Sequence, residues 1–195
     1  MSTRSSPSRT THTSKETQLD IVIRDATLSD SSQISQLGTK TYRETFQASV
    51  PPEDLQIYLD EVFSHAAIQA ELADATKHFL VACCGMQILG FAQLTEGTSE
   101  PCLSSLHTNA ENDLIELQRL YLEAMAQGFG LGRKLILEAE SRARMLGYAK
   151  IWLGVWEGNV RARRVYEKSG YKQIGEHEFV SGTCVQTDLI LWKEL

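Results

Sequence analysis

The sequence predicts a single domain of the α/β (α+β) class, and three observations carry this prediction. The chain has 195 residues, of which 42% are hydrophobic, so it can bury one sizeable core. Segments of period-two alternation, typical of strands, are interspersed with segments whose apolar residues have helical spacing. At the centre of the chain, residues 120–135 pass from a strand through a glycine-rich turn into a helix. We therefore expect a sheet with helices packed against it.

The N-terminal residues 1–18 are predicted to form a disordered tail. They are rich in Ser and Thr, carry Arg4, Arg9 and Lys15, and contain almost no apolar side chains. Such a segment cannot offset its own ordering entropy by burial. The same composition also permits an organelle transit peptide, so a targeting role stays open. The folded domain is expected to span residues 19–195.

The first half of the domain is predicted to contain strands and helices in alternation. Three segments alternate as strands: residues 19–24, 79–84 and 88–94. Helical spacing follows the capping residue Asp30, resumes at Pro52, where proline suits a first turn, and returns at residues 66–72. Gly85 marks the tight turn of a hairpin. Residues 95–112 lack periodicity and are predicted to form a loop.

The fourth predicted strand, residues 114–122, contains a break in its alternation. Its apolar residues fall into two pairs that would face opposite sides of a regular strand: Ile115 with Leu117, and Leu120 with Leu122. A bulge near Gln118 or Arg119 would shift the register by one and bring both pairs to one face. An edge strand with imperfect patterning is the alternative.

A glycine-rich turn follows this strand and opens a helix. Its sequence is Gln127-Gly128-Phe129-Gly130-Leu131-Gly132. Without Cβ atoms there, a ligand can approach the main chain, and successive N–H groups at a helix start form an anion site suited to a pyrophosphate. A P-loop is excluded because no Ser or Thr follows Lys134, and the glycine spacing departs from the dinucleotide fingerprint. A glycine turn without a ligand is the alternative.

The last third of the domain begins with a strand over residues 150–156 and a short helix. This helix carries Asn159, Ala162 and Tyr166 and ends before Gly170. Two further strands are predicted: residues 171–176 and 187–192.

Two motifs together resemble the GCN5-related N-acetyltransferases (GNAT). Residues 127–132 match the pattern Gln/Arg-x-x-Gly-x-Gly/Ala, and residues 159–171 match Asn-x-x-Ala-x-x-x-Tyr-x-x-x-Gly-Phe/Tyr. The family separates them, as here, by one helix and one strand. The resemblance covers nearly all of residues 19–195. It implies a mixed, mostly antiparallel sheet of about six to seven strands, splayed between its fourth and fifth strands and flanked by about four helices.

A closer resemblance within the family is to the PaiA-type polyamine N-acetyltransferases. It rests on residues 116–122 and 153–157, and also on residues 41–46 and 58–60. One departure from the wider family is residues 123–126, where a proline is common before the Gln.

The resemblance implies acetyl-CoA as co-substrate and a set of residues that contact it. The main chain of the bulged strand would pair with the pantetheine arm, the glycine turn would bind the pyrophosphate, and Asn159 and Tyr166 would meet the cofactor. Arg133 and Lys134, just past the glycines, are placed to pair with the pyrophosphate or the ribose phosphate, and surface solvation of both is the alternative. The implied cofactor-binding residues are Leu120, Tyr121, Leu122, Gln127, Gly128, Phe129, Gly130, Leu131, Gly132, Arg133, Asn159 and Tyr166.

Acetyl transfer to an amine needs three chemical tasks. The resemblance assigns polarisation of the thioester carbonyl to the main-chain N–H of Leu122 or a neighbour, and protonation of the thiolate to Tyr166. Glu116 is the candidate base, because strand parity turns it away from the face that buries Ile115. The alternatives are a packing role for Tyr166, a solvated Glu116 and a water chain as the base.

Composition excludes several classes of function. The net charge of −6 and the pI near 5.4 argue against nucleic-acid binding, because phosphate contacts dominate that affinity. No apolar stretch is long enough to span a membrane, and the four cysteines and five histidines show no metal-ligand spacing. We therefore expect a cytoplasmic protein with reduced cysteines, no metal and no membrane association. A homodimer is compatible with the sequence.

The sequence therefore predicts an N-acetyltransferase that acetylates a primary amine in a ternary complex. The favoured acceptor is a small polycation such as a polyamine. Acidic residues of the first two helices are expected to line its site: Glu44, Glu53, Asp54, Asp60 and Glu61. The alternatives are a protein N-terminal or lysine acetyltransferase, and a regulator that binds acetyl-CoA without turnover.

Overall fold

A computed structural model describes residues 20–106, 113–181 and 184–195. Seven strands lie within this part of the chain: β1 Ile21–Asp25, β2 Lys77–Cys84, β3 Gln87–Thr95, β4 Leu114–Leu122, β5 Lys150–Trp156, β6 Lys172–Ser181 and β7 Cys184–Glu194. Five α-helices accompany them: α1 Ser31–Phe46, α2 Pro52–Val62, α3 His65–Ala73, α4 Leu131–Met145 and α5 Val160–Lys168. The predicted tail lies outside the described residues.

The seven strands form one sheet in the order β1-β2-β3-β4-β5-β7-β6. Neighbouring strands are antiparallel except β4 and β5, which are parallel. These two strands pair only from Leu114 to Glu116 on β4, opposite Lys150 to Trp152 on β5, and then separate. The predicted fold class is confirmed, including the splayed central pair, and the described helices number five.

The predicted bulge in β4 is confirmed. Gln93 of β3 pairs with Arg119, whereas the next residue, Leu94, pairs with Leu117, so Gln118 is the extra residue. Both apolar pairs of β4 consequently contact the same core cluster: Ile115, Leu117, Leu120 and Leu122. The imperfect edge strand is thereby excluded.

Hydrophobic clusters lie on both faces of the sheet. Helices α4 and α5 cover one face, where Leu135 and Ile151 are fully buried. Helices α1 to α3 cover part of the other face, around Ile34, Phe63 and Phe91. The uncovered remainder of that second face includes the separation between β4 and β5, where a cavity forms.

The predicted loop over residues 95–112 is wrong in one part. Its segment Pro101–Leu106 forms a 3₁₀ turn, and residues 107–112 lie outside the described residues. Leu103 of this turn is fully buried against Trp152 and Ile190. A short turn anchored by one apolar side chain has no long-range periodicity, so the pattern of residues did not reveal it.

Candidate active site

A cavity of about 770 Å³ lies where β4 and β5 separate. Its walls come from the second half of β4, the glycine turn, β5 and α5, and on the far side from α1, α2 and β7. Sequence-predicted site residues that line it include both candidate catalytic residues: Glu116, Leu120, Tyr121, Leu122, Gln127, Gly128, Gly130, Gly132, Arg133, Asn159 and Tyr166. The structure thus brings most of the predicted site together.

The main chain of β4 points donors and acceptors into this cavity. The N–H of Glu123 donates to the carbonyl of Leu89 on β3, at 2.8 Å. Because successive residues of a strand direct their main-chain groups to opposite edges, Leu122 and Leu120 direct theirs away from β3, toward the gap. The carbonyl of Leu122 accepts a hydrogen bond there from Gln127 Nε2, at 3.2 Å. The N–H groups of Leu120 and Leu122 therefore face the space left by β5.

The glycine turn adopts a conformation that requires glycine. Gly128 and Gly130 have φ values of +91° and +80°, in the left-handed region that other residues rarely adopt. Apart from the adjacent residues, no atom of the described chain lies within 4 Å of the position of a Cβ at either residue, so the main chain is open to a ligand. Gly130 is the N-cap of α4, and the first N–H groups of a helix have no acceptor within it. This is the geometry of an anion site at a helix start.

The residues in and just after the glycine turn differ in whether they line the cavity. Arg133 is exposed and lines the cavity, whereas Lys134 is exposed and does not line it. The Phe129 side chain is 82% exposed and Leu131 is buried in the core, so both lie outside the cavity.

Tyr166 and Asn159 reach the cavity from α5. Asn159 caps this helix, its side-chain oxygen accepting from the N–H of Ala162 at 3.1 Å. The Tyr166 ring contacts Tyr171 edge-on at 5.7 Å between centroids and is 7% exposed. Burial raises the pKa of Tyr166, so the phenol stays protonated at neutral pH. It can act as a proton donor.

Glu116 lies on the sheet face opposite to α4, as its parity predicted. It is half-buried, and it lines the cavity rather than facing bulk solvent. Burial raises the pKa of Glu116, and the Glu100 carboxylate raises it further, while Arg119 and His177 oppose the shift. A carboxylate with a raised pKa is a stronger base than a solvated one.

Arg119 is held beside the bulge by a buried network that the sequence did not reveal. Its guanidinium donates to the Glu71 carboxylate and, at 2.7 Å, to Gln93 Oε1. It also lies 5.1 Å from the ring centroid of Phe63. Lys77 pairs with the same Glu71 carboxylate at 2.5 Å. The network fixes one wall of the cavity and satisfies the Arg119 charge.

The expected acidic lining from the first two helices is wrong. None of those five acids lines the cavity, because α1 and α2 turn their apolar faces toward the sheet and their acids outward. The acids that line it are instead Glu100, Glu116 and Asp188. His177, to which the sequence assigned no role, also lines it, with Nδ1 3.0 Å from Glu100 Oε1.

These missed residues lie far apart in the sequence. A charged residue next to the apolar run of β7 was the available signal for Asp188. Its significance depends on the pairing of β7 with β5, which the sequence pattern does not specify.

Residues 38–171 match the model of the acetyltransferase (GNAT) family. The chain belongs to this family. The prediction from the two motifs is confirmed: the protein is an N-acetyltransferase, an acyltransferase that uses acetyl-CoA.

Several relatives show how far the similarity extends. An uncharacterised N-acetyltransferase from the pepI 3′ region of Lactobacillus delbrueckii subsp. lactis is 28% identical over 159 residues, covering 82% of this chain and 88% of that protein. The spermine/spermidine N(1)-acetyltransferase of Bacillus subtilis is 30% identical over 70 residues, covering 35% of this chain and 46% of that enzyme. The PaiA N-acetyltransferase of Thermoplasma acidophilum, solved with coenzyme A, has a TM-score of 0.71 at 22% identity, covering 90% of this chain and 99% of that one.

Two features are absent from the described residues. No helix there is both long and apolar enough to cross a membrane. In the same ranges, no group of three His, Cys, Asp or Glu side chains could hold a metal ion.

Proposed function

We propose that this N-acetyltransferase moves the acetyl group of acetyl-CoA directly to a primary amine of a small molecule. One observation carries the proposal. Main-chain donors of β4 face the gap between β4 and β5. The gap lies between a helix-start anion site on one side and a wall of carboxylates and aromatic rings on the other. Cofactor and acceptor can therefore meet in the gap from opposite sides.

The cofactor would occupy the side of the cavity next to α4. The pyrophosphate fits the main-chain N–H groups that begin at Gly128, and Arg133 supplies a positive charge beside them. The pantetheine arm would pair with the main-chain groups of Leu120 and Leu122 that face the gap. Gln127, bonded to the carbonyl of Leu122, holds the turn against this strand.

The transfer itself would use three groups around the gap. The neutral amine attacks the thioester carbonyl carbon, and a main-chain N–H of the bulged strand, at Leu122 or a neighbour, donates to the developing oxyanion. The proton passes from the amine to Glu116 through water, because Glu116 lies six residues before Leu122 on β4. The carbon–sulfur bond then breaks, and Tyr166 donates its proton to the departing thiolate.

We further propose a polyamine as the acceptor. The similarity to the spermine/spermidine N(1)-acetyltransferase of Bacillus subtilis and to the PaiA N-acetyltransferase of Thermoplasma acidophilum supports this class of acceptor. The described residues that line the cavity also include three carboxylates: Glu100, Glu116 and Asp188. Carboxylates raise the local concentration of ammonium groups, an effect that salt screens. The KM for a polyamine should therefore rise with added salt more than the dissociation constant for acetyl-CoA does.

A thiol-release assay with acetyl-CoA and a panel of acceptors tests the proposal. The panel contains polyamines, amino acids, aminoglycosides and lysine peptides, and we expect spermidine to be preferred. A clear preference for a neutral or anionic acceptor would contradict the acceptor class, and a preference for peptides would favour a protein acetyltransferase. Initial velocities with both substrates varied should give intersecting lines, as a ternary complex requires. Parallel lines would indicate a covalent acetyl-enzyme.

A further inference from the structure

Asp188 of β7 presents its carboxylate to the cavity. It is half-buried, and within the described part of the chain its carboxylate makes no hydrogen bond and no ion pair. Its Oδ2 lies 3.6 Å from the position that a Cβ would take at Gly154 on β5. The missing side chain of Gly154 therefore leaves the carboxylate accessible from the cavity, which both residues line.

Aromatic rings surround the approach to Asp188. Trp156 is its direct partner across β5 and β7, so the two side chains lie on one face of the sheet. Phe46 lies 5.5 Å from the Trp156 ring, and Tyr42 stacks between Phe46 and Tyr58 with centroids 4.4 Å from each. All four rings line the cavity. A carboxylate beside aromatic rings is a favourable environment for an ammonium group.

The other charged groups nearby leave Asp188 available to a ligand. His177 faces it across β6 and β7, but its Nδ1 lies 3.0 Å from Glu100. Burial raises the pKa of Asp188, and His177 partly offsets this. A second feature also indicates a ligand. The Trp152 side chain lines the same cavity, is 2% exposed, and has an Nε1 with no hydrogen-bond partner among the described residues.

Asp188 lies at a distance from the candidate base. Glu116 is the register partner of Trp152, and Asp188 is the register partner of Trp156, four residues farther along β5. The two positions are therefore ~13 Å apart along the strand direction. The reacting amine can lie in the gap on the β4 side of β5 while a second amine lies at Asp188 on the β7 side, provided that a flexible chain connects them.

We propose that Asp188 binds a second, non-reacting ammonium group of the acceptor, held against the aromatic rings of Tyr42 and Trp156. The enzyme would then prefer acceptors with two amines over those with one. This inference rests on the proposed amine acetyltransferase activity and assigns its acceptor selectivity to one residue. Asp188 is a substrate-binding residue in this proposal and takes no part in proton transfer.

A matched pair of acceptors tests the assignment: n-hexylamine and 1,6-diaminohexane, which differ by one amine. In the wild-type enzyme we expect a higher kcat/KM for the diamine. Asp188→Asn should lower kcat/KM for the diamine about 10-fold to 100-fold, through KM, with little change for the monoamine. Glu44→Gln, an exposed acid of α1 outside the cavity, is the control and should leave both values unchanged. Equal losses for the two amines, or no loss, would overturn the assignment.

A binding measurement separates failure of this assignment from failure of the proposed function. Calorimetry with the diamine in the presence of coenzyme A requires no turnover, and we expect weaker binding to Asp188→Asn than to the wild type. Such a difference without acetylation of any amine would reject the proposed activity and support the subsite. Equal binding to both proteins, with thermal unfolding showing both to be folded, would reject the subsite whatever the activity.

Discussion

The side-chain amide of Gln127 donates a hydrogen bond to the main-chain carbonyl of Leu122, 3.2 Å away. The oxygen of the same amide accepts from Arg161 of α5 at 2.5 Å. One side chain thus ties the glycine turn to the end of the bulged strand and to the helix that carries Tyr166. The three parts of the proposed cofactor site are held together by this residue.

Gly130→Val should abolish acetyl-CoA binding. Gly130 has a φ of +80°, which a β-branched residue cannot adopt without strain, and its side chain would cover the N–H groups at the start of α4. Isothermal calorimetry measures the effect. Gly85→Val, in the β2–β3 turn at a φ of +59°, carries a similar backbone penalty outside the cavity and should keep wild-type affinity. Wild-type affinity in folded Gly130→Val would place the cofactor elsewhere.

Tyr166→Phe should lower kcat about 10²-fold or more and leave acetyl-CoA affinity nearly unchanged, because it removes only the proposed proton donor. Steady-state kinetics and calorimetry together measure this. The control is Tyr171→Phe, which removes the hydroxyl of the neighbouring ring, outside the cavity. An unaltered rate in Tyr166→Phe would show that Tyr166 packs against its neighbours and donates no proton in the reaction.

The pH dependence of the rate should report Glu116. A base must be deprotonated to act, so the rate rises as pH increases through the pKa of Glu116. Burial, with Glu100 nearby, raises this pKa above its ordinary value of 4.5. The rise in the pH–rate profile should therefore occur at a higher pH than the pKa of an ordinary glutamate. Glu116→Gln should abolish this rise and lower the rate about 10²-fold or more. A variant that keeps both the rise and the rate would favour a water chain as the base.

Glu71→Ala should destabilise the protein by roughly 3 kcal/mol, because it leaves the buried Arg119 and the neighbouring Lys77 without their shared partner. The free energy of unfolding in denaturant measures this loss. Asp25→Ala removes the partner of Arg142 at an exposed position and should cost markedly less. Similar losses in the two variants would show that the network around Arg119 contributes no special stability.

Local patterns predicted the parts of the fold that depend on neighbouring residues. The bounds of β4 and β5 agree with the structure, because strand alternation and turn residues specify them locally. The bulge followed from a parity argument within nine residues of β4. The glycine turn, Asn159 and Tyr166 followed from two short motifs. Each of these signals is contained in one continuous stretch of chain.

The acceptor side of the cavity could not be predicted in the same way. Tyr42 comes from α1, Asp188 from β7 and His177 from β6, and only the pairing of distant strands brings them together. The positions of acidic residues along the chain led to a wrong prediction of the acceptor site, because the acids of α1 and α2 face outward while one acid of β7 faces the cavity. The tail, a homodimer and the cytoplasmic location stay predictions.

We expect this chain to transfer an acetyl group from acetyl-CoA to an amine. Mass spectrometry of spermidine incubated with the protein and acetyl-CoA tests it most directly, with thiol release recorded in the same reaction. We expect N-acetylated spermidine and free coenzyme A in equal amounts, at a rate proportional to enzyme concentration and strongly reduced in Tyr166→Phe. Acetyl-CoA binding without acetylation of spermidine or any other amine would contradict the claim and identify a non-catalytic acetyl-CoA-binding protein.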